Sequence, residues 1–155
     1  MSALLRILRS YLDLDGRLAI LEAEARQRRH TKKLTKLQSL RLSTDHAYFM
    51  MVFATFESEL NQKCIQLITV RQAKTKWRYR RPWDTLSAKP SDIRRIRFKD
   101  RLAYCLEMGT TDYQQVLTYY ETRNQLSHSA TTSTLVVVPQ VATDLIRVST
   151  SLQAR

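Results

Sequence analysis

Apolar residues recur along most of this chain with the three-to-four-residue spacing of an amphipathic α-helix. No proline interrupts residues 3–38, and Gly16 is their one glycine. We therefore predict a first helix over 3–38, as part of a bundle and not as a targeting peptide. Its apolar face would contain Leu4, Leu5, Leu8, Leu12, Leu18, Leu21 and Ala25.

A second helix is predicted to begin at the cluster of Ser43, Thr44 and Asp45, since such side chains are favoured as N-caps. It would end near Gln72 and bury Met50, Phe53, Ala54, Leu60, Cys64, Leu67 and Ile68. Glu57 falls on this stripe, and burying an unpaired carboxylate is costly. Glu57 should therefore either face a basic partner or reach solvent at the edge of the bundle, and the pattern leaves both open.

Three further helices are predicted after residue 90. Ser91 would cap one that continues to Met108, with Gly109 as its stop and with Phe98, Leu102, Cys105 and Leu106 buried. The next would begin at Thr111 or Asp112 and break at 131–134. Pro139 sits where a last helix can begin, whose apolar face would contain Val141, Leu145 and Val148.

Composition supports one helical domain over residues 1–155, with a basic N-terminal helix at 1–38 and a core at 40–150. Two glycines and three prolines are too few for the many turns of a β-sandwich or barrel. The predicted fold class is thus all-α, a bundle of four to five helices. No apolar run approaches the roughly 20 residues that span a bilayer. Cys64 and Cys105 form no CxxC motif, which favours reduced core thiols, a cytoplasmic protein, no metal site and no cofactor.

The net charge of +12, from 26 Lys and Arg against 14 Asp and Glu, favours a polyanionic partner. Residues 26–36 read RQRRHTKKLTK, which is either a solvated helix face or a nucleic-acid contact. Residues 73–90, a predicted loop, interleave aromatic and basic residues, as single-strand binding requires. We predict that Trp83 covers the core. The candidate RNA-binding residues are Arg28, Arg29, Lys32, Lys33, Lys74, Lys76, Trp77, Arg78, Tyr79, Arg80 and Arg81.

The stretch YYETRNQLSHSA, residues 119–130, contains the candidate catalytic residues Arg123, Asn124 and His128. A helix would place Asn124 and His128 on one face, continuing the stripe of Tyr113, Leu117 and Tyr120. A capped helix end with a surface histidine is the alternative. The same Arg–His spacing occurs at Arg41 and His46, but that pair straddles the predicted helix cap and lacks the asparagine, so we interpret it as structural.

The segment RNQLSH resembles the Arg-x4–6-His motif of the HEPN superfamily of helical ribonucleases and toxins. The segment FATFESEL, residues 53–60, is similar to the aromatic–acid signature in an early core helix of that superfamily, notably in its RiboL-PSP-like branch. The resemblance covers residues 40–150. It implies a toxin or defence effector that acts on tRNA or mRNA, and a homodimer in which two motif helices form one composite site.

The resemblance also implies metal-independent cleavage, with a 2′,3′-cyclic phosphate and a 5′-hydroxyl as product ends. His128 would act as general base or acid, and Arg123 would stabilise charge on the phosphoryl oxygens. Asn124 would orient the phosphate or the histidine, and Glu57 would hold Arg123. Tyr120 and Ser127 would support the site.

One position departs from the family pattern. Relatives regulated by adenylylation have a tyrosine two residues after the histidine, where this chain has Ala130. A cognate antitoxin protein would then act by masking the basic surface or the cleft. Two other classes of function stay open: a helical RNA-binding module that does not cut, and a helical adaptor that binds an acidic protein partner.

Overall fold

The computed structural model describes residues 2–128 and 134–152. These residues form seven helices and no strand, which confirms the prediction of an all-α fold. Two of the helices are single turns, so five longer ones remain. No described helix is both long enough and apolar enough to cross a membrane. The helices are α1 (Ala3–Gln27), α2 (Thr31–Gln72), α3 (Trp77–Arg80), α4 (Pro90–Ile93), α5 (Phe98–Cys105), α6 (Thr111–His128) and α7 (Val138–Ser151).

The first break in the chain lies between α1 and α2, at residues 28–30, and not near residues 38–43 as predicted. The His30 N–H donates to the Ala25 carbonyl at 2.9 Å and the Arg29 N–H donates to the Arg26 carbonyl at 3.0 Å. This bond pair is the Schellman motif, which needs a left-handed residue between the two helices. Arg29 supplies it with a φ of 54°. Glycine usually takes this position, so the sequence did not mark the turn.

The contacts divide the chain into two compact units, of which the first comprises the described parts of Met1–Thr55 and Tyr120–Ile146. Within it, α1 and the start of α2 form a helical hairpin, with Leu34 and Leu37 packed against Leu18 and Ala25. The buried apolar positions of α1 recur every seven residues, which makes a narrower seam than the predicted stripe. Two residues of that stripe, Leu12 and Leu21, are consequently exposed. The buried apolar residues of α1 are Leu4, Tyr11, Leu18 and Ala25.

Polar contacts also join the two helices of this hairpin. Arg41 on α2 bridges two carboxylates of α1, with its Nη2 2.6 Å from Asp15 Oδ1 and its Nη1 3.4 Å from Glu22 Oε2. His46 Nε2 lies 2.9 Å from the carbonyl oxygen of Thr134. These contacts support the structural interpretation of the Arg41–His46 pair, although the pair lies inside α2 and not at a helix cap.

The Tyr11–Asp45 hydrogen bond makes a testable contribution to stability. Tyr11 is buried and its hydroxyl donates to Asp45 Oδ1 at 2.8 Å. Burial and this bond raise the pKa of Tyr11 above its ordinary value. Because the pKa is higher in the folded state than in the unfolded state, the contribution is complete below about pH 10 and is lost above it.

We expect Tyr11→Phe to lower the free energy of unfolding by about 1–2 kcal/mol at neutral pH, since Asp45 loses its donor. The difference between the two proteins should shrink at about pH 10.5, because only the wild type then loses stability through Tyr11. Denaturant titrations at the two pH values measure both effects. A difference that stays constant or widens at the higher pH would refute this account.

The second unit comprises the described parts of Phe56–Tyr119 and Arg147–Arg155. Helix α2 runs through both units, and five of the seven residues of its predicted apolar stripe are buried. Ala54 is exposed and Met50 half-buried, however, whereas Phe49, Val52 and Phe56 are buried. The larger aromatic side chains gain more from burial than alanine does. The buried residues of this unit include Phe56, Leu60, Cys64, Leu67, Ile68, Ile93, Phe98, Leu102, Cys105, Tyr113, Val116 and Val148.

The predicted helix from Ser91 to Met108 is instead two helices, α4 and α5. Ile93 and Phe98 are both buried, yet on one continuous helix they would point about 140° apart. The break between them lets both reach the core. Helix α5 ends at Cys105, and Gly109, with a φ of 94°, lies in the turn before α6.

The predictions for the last two helices hold better. Helix α6 begins at Thr111. In α7 the three residues of the predicted apolar face, Val141, Leu145 and Val148, are all buried. The break predicted at 131–134 lies mostly outside the described residues, at positions 131–133. Ala130 also lies outside them.

Candidate functional site

The candidate catalytic residues lie in the last two turns of α6, in the first unit. Arg123 and Asn124 are half-buried, and His128 is exposed at the end of the helix. Arg123 Nη1 donates to Asn124 Oδ1 at 3.0 Å. This bond uses one of the five N–H donors of the guanidinium. It restrains the conformation of the Arg123 side chain, since both residues stand on the same regular helix. The asparagine therefore orients the arginine, a role that the sequence had assigned towards the phosphate or the histidine.

The predicted inward stripe of α6 is only partly correct. Tyr113 and Val116 are the buried residues of this helix, whereas Leu117 and Tyr120 are half-buried. Asn124 continues on this side of the helix, but His128 is exposed to solvent. The motif thus runs from a half-buried arginine and amide to an exposed imidazole, and the exposure of His128 also agrees with the alternative of a helix end with a surface histidine.

The two residues predicted to support the site, Ser127 and Tyr120, both make contacts on α6 close to Arg123. Ser127 Oγ donates to the Arg123 carbonyl at 2.8 Å, so its hydroxyl proton is directed at the backbone. The ring of Tyr120 lies 6.2 Å from that of Phe53, tilted by 34°. Tyr120 therefore packs α6 against α2 one turn before Arg123. Tyr120 thus helps to fix the helix that contains the arginine, whereas the Ser127 bond stays within that helix.

Glu57 has a basic partner, as one of the two open interpretations required, and that partner is Arg101 of α5. Arg101 Nη2 donates to Glu57 Oε1 at 2.7 Å, and its Nη1 donates to Asn61 Oδ1. The Arg101 side chain is 5% exposed and that of Glu57 27%. The carboxylate thus neutralises a buried guanidinium inside the second unit. The expected role of Glu57 towards Arg123 stays a prediction.

The sequence did not single out Arg101. It was predicted neither as an RNA-binding residue nor as a buried residue of its helix. It lies three residues after Phe98 and four before Cys105, so it shares their side of the helix. Its guanidinium lies 5.6 Å from the Phe98 ring centroid. A charged residue at this spacing, with Glu57 on another apolar stripe, was the available signal for the pair.

The first basic cluster surrounds the turn between α1 and α2. All of its predicted RNA-binding residues are exposed, namely Arg28, Arg29, Lys32 and Lys33. A shallow groove runs along the adjacent face of α2, lined by Lys32, Thr35, Lys36, Ser39, Leu40 and Ser43. Ammonium and hydroxyl groups alternate along this face. Both kinds of group bind phosphate oxygens.

The second basic cluster comprises α3 and its flanks, in the second unit. Trp77 is 59% exposed and Tyr79 52% exposed, which leaves part of each ring accessible. Arginine guanidinium groups lie close to both rings: Arg81 is 4.9 Å from the Trp77 centroid, and Arg78 is 5.6 Å from that of Tyr79. Lys74, Lys76 and Arg78 are exposed as well. Of the predicted cations in this cluster, Arg80 forms an ion pair, with Asp84 at 3.1 Å.

Trp83 is half-buried, and its ring lies 5.7 Å from that of Tyr104 on α5. Trp83 therefore packs against α5 within the second unit, whereas the other tryptophan, Trp77, is largely exposed to solvent. Cys64 and Cys105 are free and buried, with their sulfur atoms 3.7 Å apart. Across residues 2–128 and 134–152, no three His, Cys, Asp or Glu side chains are grouped as metal ligands would be.

No protein-family model matches this chain, and neither a curated protein nor a solved structure matches it.

Proposed function

We propose that the protein is a metal-independent endoribonuclease, a toxin or defence effector, whose catalytic residues are Arg123, Asn124 and His128. The observation that supports this most directly is the arrangement on α6. Asn124, which restrains Arg123, stands one turn before the exposed His128, and Arg123 itself leaves the helix about 140° from His128, in a chain with a net charge of +12. The exposed residues of the two basic clusters would contact the phosphates of the RNA backbone.

In this proposal the imidazole of His128 takes the proton from a ribose 2′-OH or gives one to the leaving 5′-oxygen. The 2′-oxygen attacks the adjacent phosphorus, and the bond to the 5′-oxygen breaks. Negative charge grows on the phosphoryl oxygens, where the planar guanidinium of Arg123 stabilises it. The products are a 2′,3′-cyclic phosphate and a 5′-hydroxyl. DNA, which lacks the attacking hydroxyl, is not a substrate.

The reaction needs a general base and a general acid, and one α6 supplies one histidine. We propose that two copies of the chain bring their α6 helices together, so that the second His128 fills the other role. Since each α6 ends in an exposed histidine, a twofold arrangement would place both imidazoles towards the same phosphate. A cognate antitoxin would then act by covering the basic clusters or the cleft.

The test is incubation of the purified protein with total RNA and with single-stranded DNA, in buffer that contains EDTA. We expect RNA fragments and intact DNA. Cleavage that appears only after a divalent metal is added would show that the mechanism is different. Size-exclusion chromatography with light scattering, on the same preparation, reports whether the active species is a dimer.

A second candidate function is an RNA-binding module that does not cleave RNA. The two basic clusters support it, because they could bind RNA whether or not Arg123, Asn124 and His128 are catalytic. It shares one prediction with the first candidate. Replacing Lys32 and Lys36 with glutamine should lower the slope of log affinity against log salt by about 0.7 for each lost phosphate contact. Fluorescence anisotropy with a labelled RNA, at several salt concentrations, measures the slope.

Lys89 and Lys99 provide the control, because they are exposed and lie outside both clusters. Replacing them with glutamine changes the net charge by the same amount. An equal loss of slope in both double variants would mean that only the overall charge of the protein matters.

A further inference from the structure

A cavity in the second unit lies beside the second basic cluster. Its volume is about 370 Å³, at the small end of the range for ligand pockets. Leu67, Leu86 and Ala103 form its apolar wall, and Trp83 and Tyr104 supply two aromatic rings. Its size and composition fit one flat, aromatic group.

The walls of this cavity are held in place by hydrogen bonds from α2. Gln72 Nε2 donates to the carbonyl oxygens of both Trp83 and Leu86, at 2.9 and 2.7 Å. These bonds fasten the segment that contains Trp83 to α2. The two aromatic rings lie 5.7 Å apart at an angle of 59°, so a ligand ring could stack on one and meet the edge of the other. The pocket is therefore built before any ligand binds.

Polar groups at the cavity favour an anionic ligand. The guanidinium of Arg71 lines the cavity and lies 5.9 Å from the Trp83 ring centroid. Tyr104, whose pKa is raised by burial and by nearby Asp100 and Cys64, supplies a phenolic hydroxyl that can donate a hydrogen bond. From Arg71 to Arg81 the sequence contains six Lys and Arg residues and no Asp or Glu. An aromatic group with a phosphate attached would satisfy both parts of the site.

We propose that this cavity binds one nucleobase of an unpaired nucleotide, stacked against Trp83 and Tyr104, with its phosphate on Arg71. The exposed cations from Lys74 to Arg81 would then hold the phosphates of neighbouring nucleotides. The inference shares with the proposed function the premise that RNA is a ligand, but it does not depend on cleavage. It assigns base recognition to a pocket of the second unit, apart from the motif on α6.

The test uses fluorescence of Trp83 in the full-length chain. Trp77→Phe leaves Trp83 as the one tryptophan, since the sequence contains two, and His128→Ala prevents loss of RNA during the titration. The probes are four nucleoside monophosphates and short unpaired RNA oligomers of a single base type. Saturable quenching by at least one oligomer is expected. Quenching by the monophosphates as well would identify a free nucleotide as a ligand, and quenching by oligomers alone would identify an RNA strand.

Ala103→Leu narrows the cavity without removing any group that would contact the ligand. It should weaken oligomer binding roughly tenfold, as expected for the loss of one stacked base, and should lower the salt slope by no more than the one phosphate contact assigned to Arg71. Arg78→Gln, outside the cavity, should reduce the salt slope without changing the quenching of Trp83. Circular dichroism shows whether each variant is folded. If Ala103→Leu does not fold, the quenching of Trp83 in the parent protein still tests the proposal.

Two results would overturn the proposal: no probe quenches Trp83, or folded Ala103→Leu binds every oligomer as the parent does. Failure of the proposed function looks different. If the wild type never cleaves RNA but Trp83 is quenched, the pocket stands and the catalytic assignment falls. If RNA is cleaved but no probe quenches Trp83, the catalytic assignment stands and the nucleobase pocket is wrong.

Discussion

Replacing His128 with alanine should lower the rate of RNA cleavage by a factor of about 10² to 10⁴, the usual contribution of a general acid or base. The exposed position of His128 at the end of α6 means that its loss leaves the fold intact. Binding of RNA should change little, because the basic clusters remain. The measurement is single-turnover cleavage of a labelled RNA, together with its affinity.

The role of Arg123 is tested by two substitutions, one that removes its charge and one that keeps it. Arg123→Ala should lower the cleavage rate by about 10² to 10³, since it removes a group that stabilises developing charge. Arg123→Lys keeps the charge but loses the planar fork and its geometry at Asn124, so it should recover only a small part of the rate.

Matched controls for these variants lie elsewhere in the chain. Arg94 is exposed and lies outside α6 and both basic clusters, so Arg94→Ala removes the same side chain from a neutral position. His30→Ala removes an exposed imidazole from the turn within the first basic cluster and is therefore compared at saturating RNA. Both should keep the wild-type rate. Cleavage that falls equally in the control and motif variants, or in none of them, would contradict the assignment.

Replacing Glu57 with leucine should destabilise the protein by about 3 kcal/mol, because it leaves the buried guanidinium of Arg101 without a counter-charge. The Arg101 side chain is 5% exposed, and its Nε already lacks a hydrogen-bond partner in the structure. Chemical denaturation measures the loss. The same substitution at Glu24, which is exposed on α1, should cost far less.

A double variant separates this pair from the catalytic motif. Glu57→Leu with Arg101→Met replaces both charges by apolar groups, and such replacements are often close to neutral. Most of the lost stability should therefore return. If Glu57 acts mainly on Arg123, the double variant would regain little stability and its cleavage would fall as far as in Arg123→Ala.

Sequence periodicity located the elements whose ends are marked by local signals. Helix α6 begins at Thr111 and the last helix next to Pro139, where side chains of the right kind stand at the ends. The exposed Trp77 and the packed Trp83 were also separated correctly, because only one of the two can cover a core.

Periodicity failed where tertiary packing decided the outcome. The turn at Arg29 has no glycine, so the α1–α2 break was placed about ten residues too late. At the N-terminal part of the α2 stripe Phe49 is buried and Met50 is not, because an apolar pattern does not tell which of two neighbouring apolar residues faces the core. The Glu57–Arg101 pair joins positions 44 residues apart, and a single sequence does not show such a pairing. The need of Glu57 for a partner was predictable, and the partner was not.

The central claim is that RNA is cleaved by attack of its own 2′-hydroxyl, with His128 and Arg123 as the catalytic groups. The most direct test is analysis of the product ends from a defined RNA in EDTA, beside the same RNA with one 2′-deoxy substitution at the cleavage site. We predict a 2′,3′-cyclic phosphate and a 5′-hydroxyl from the first, and no cleavage at the substituted position. A 5′-phosphate product, or cleavage at the deoxy position, would contradict the mechanism.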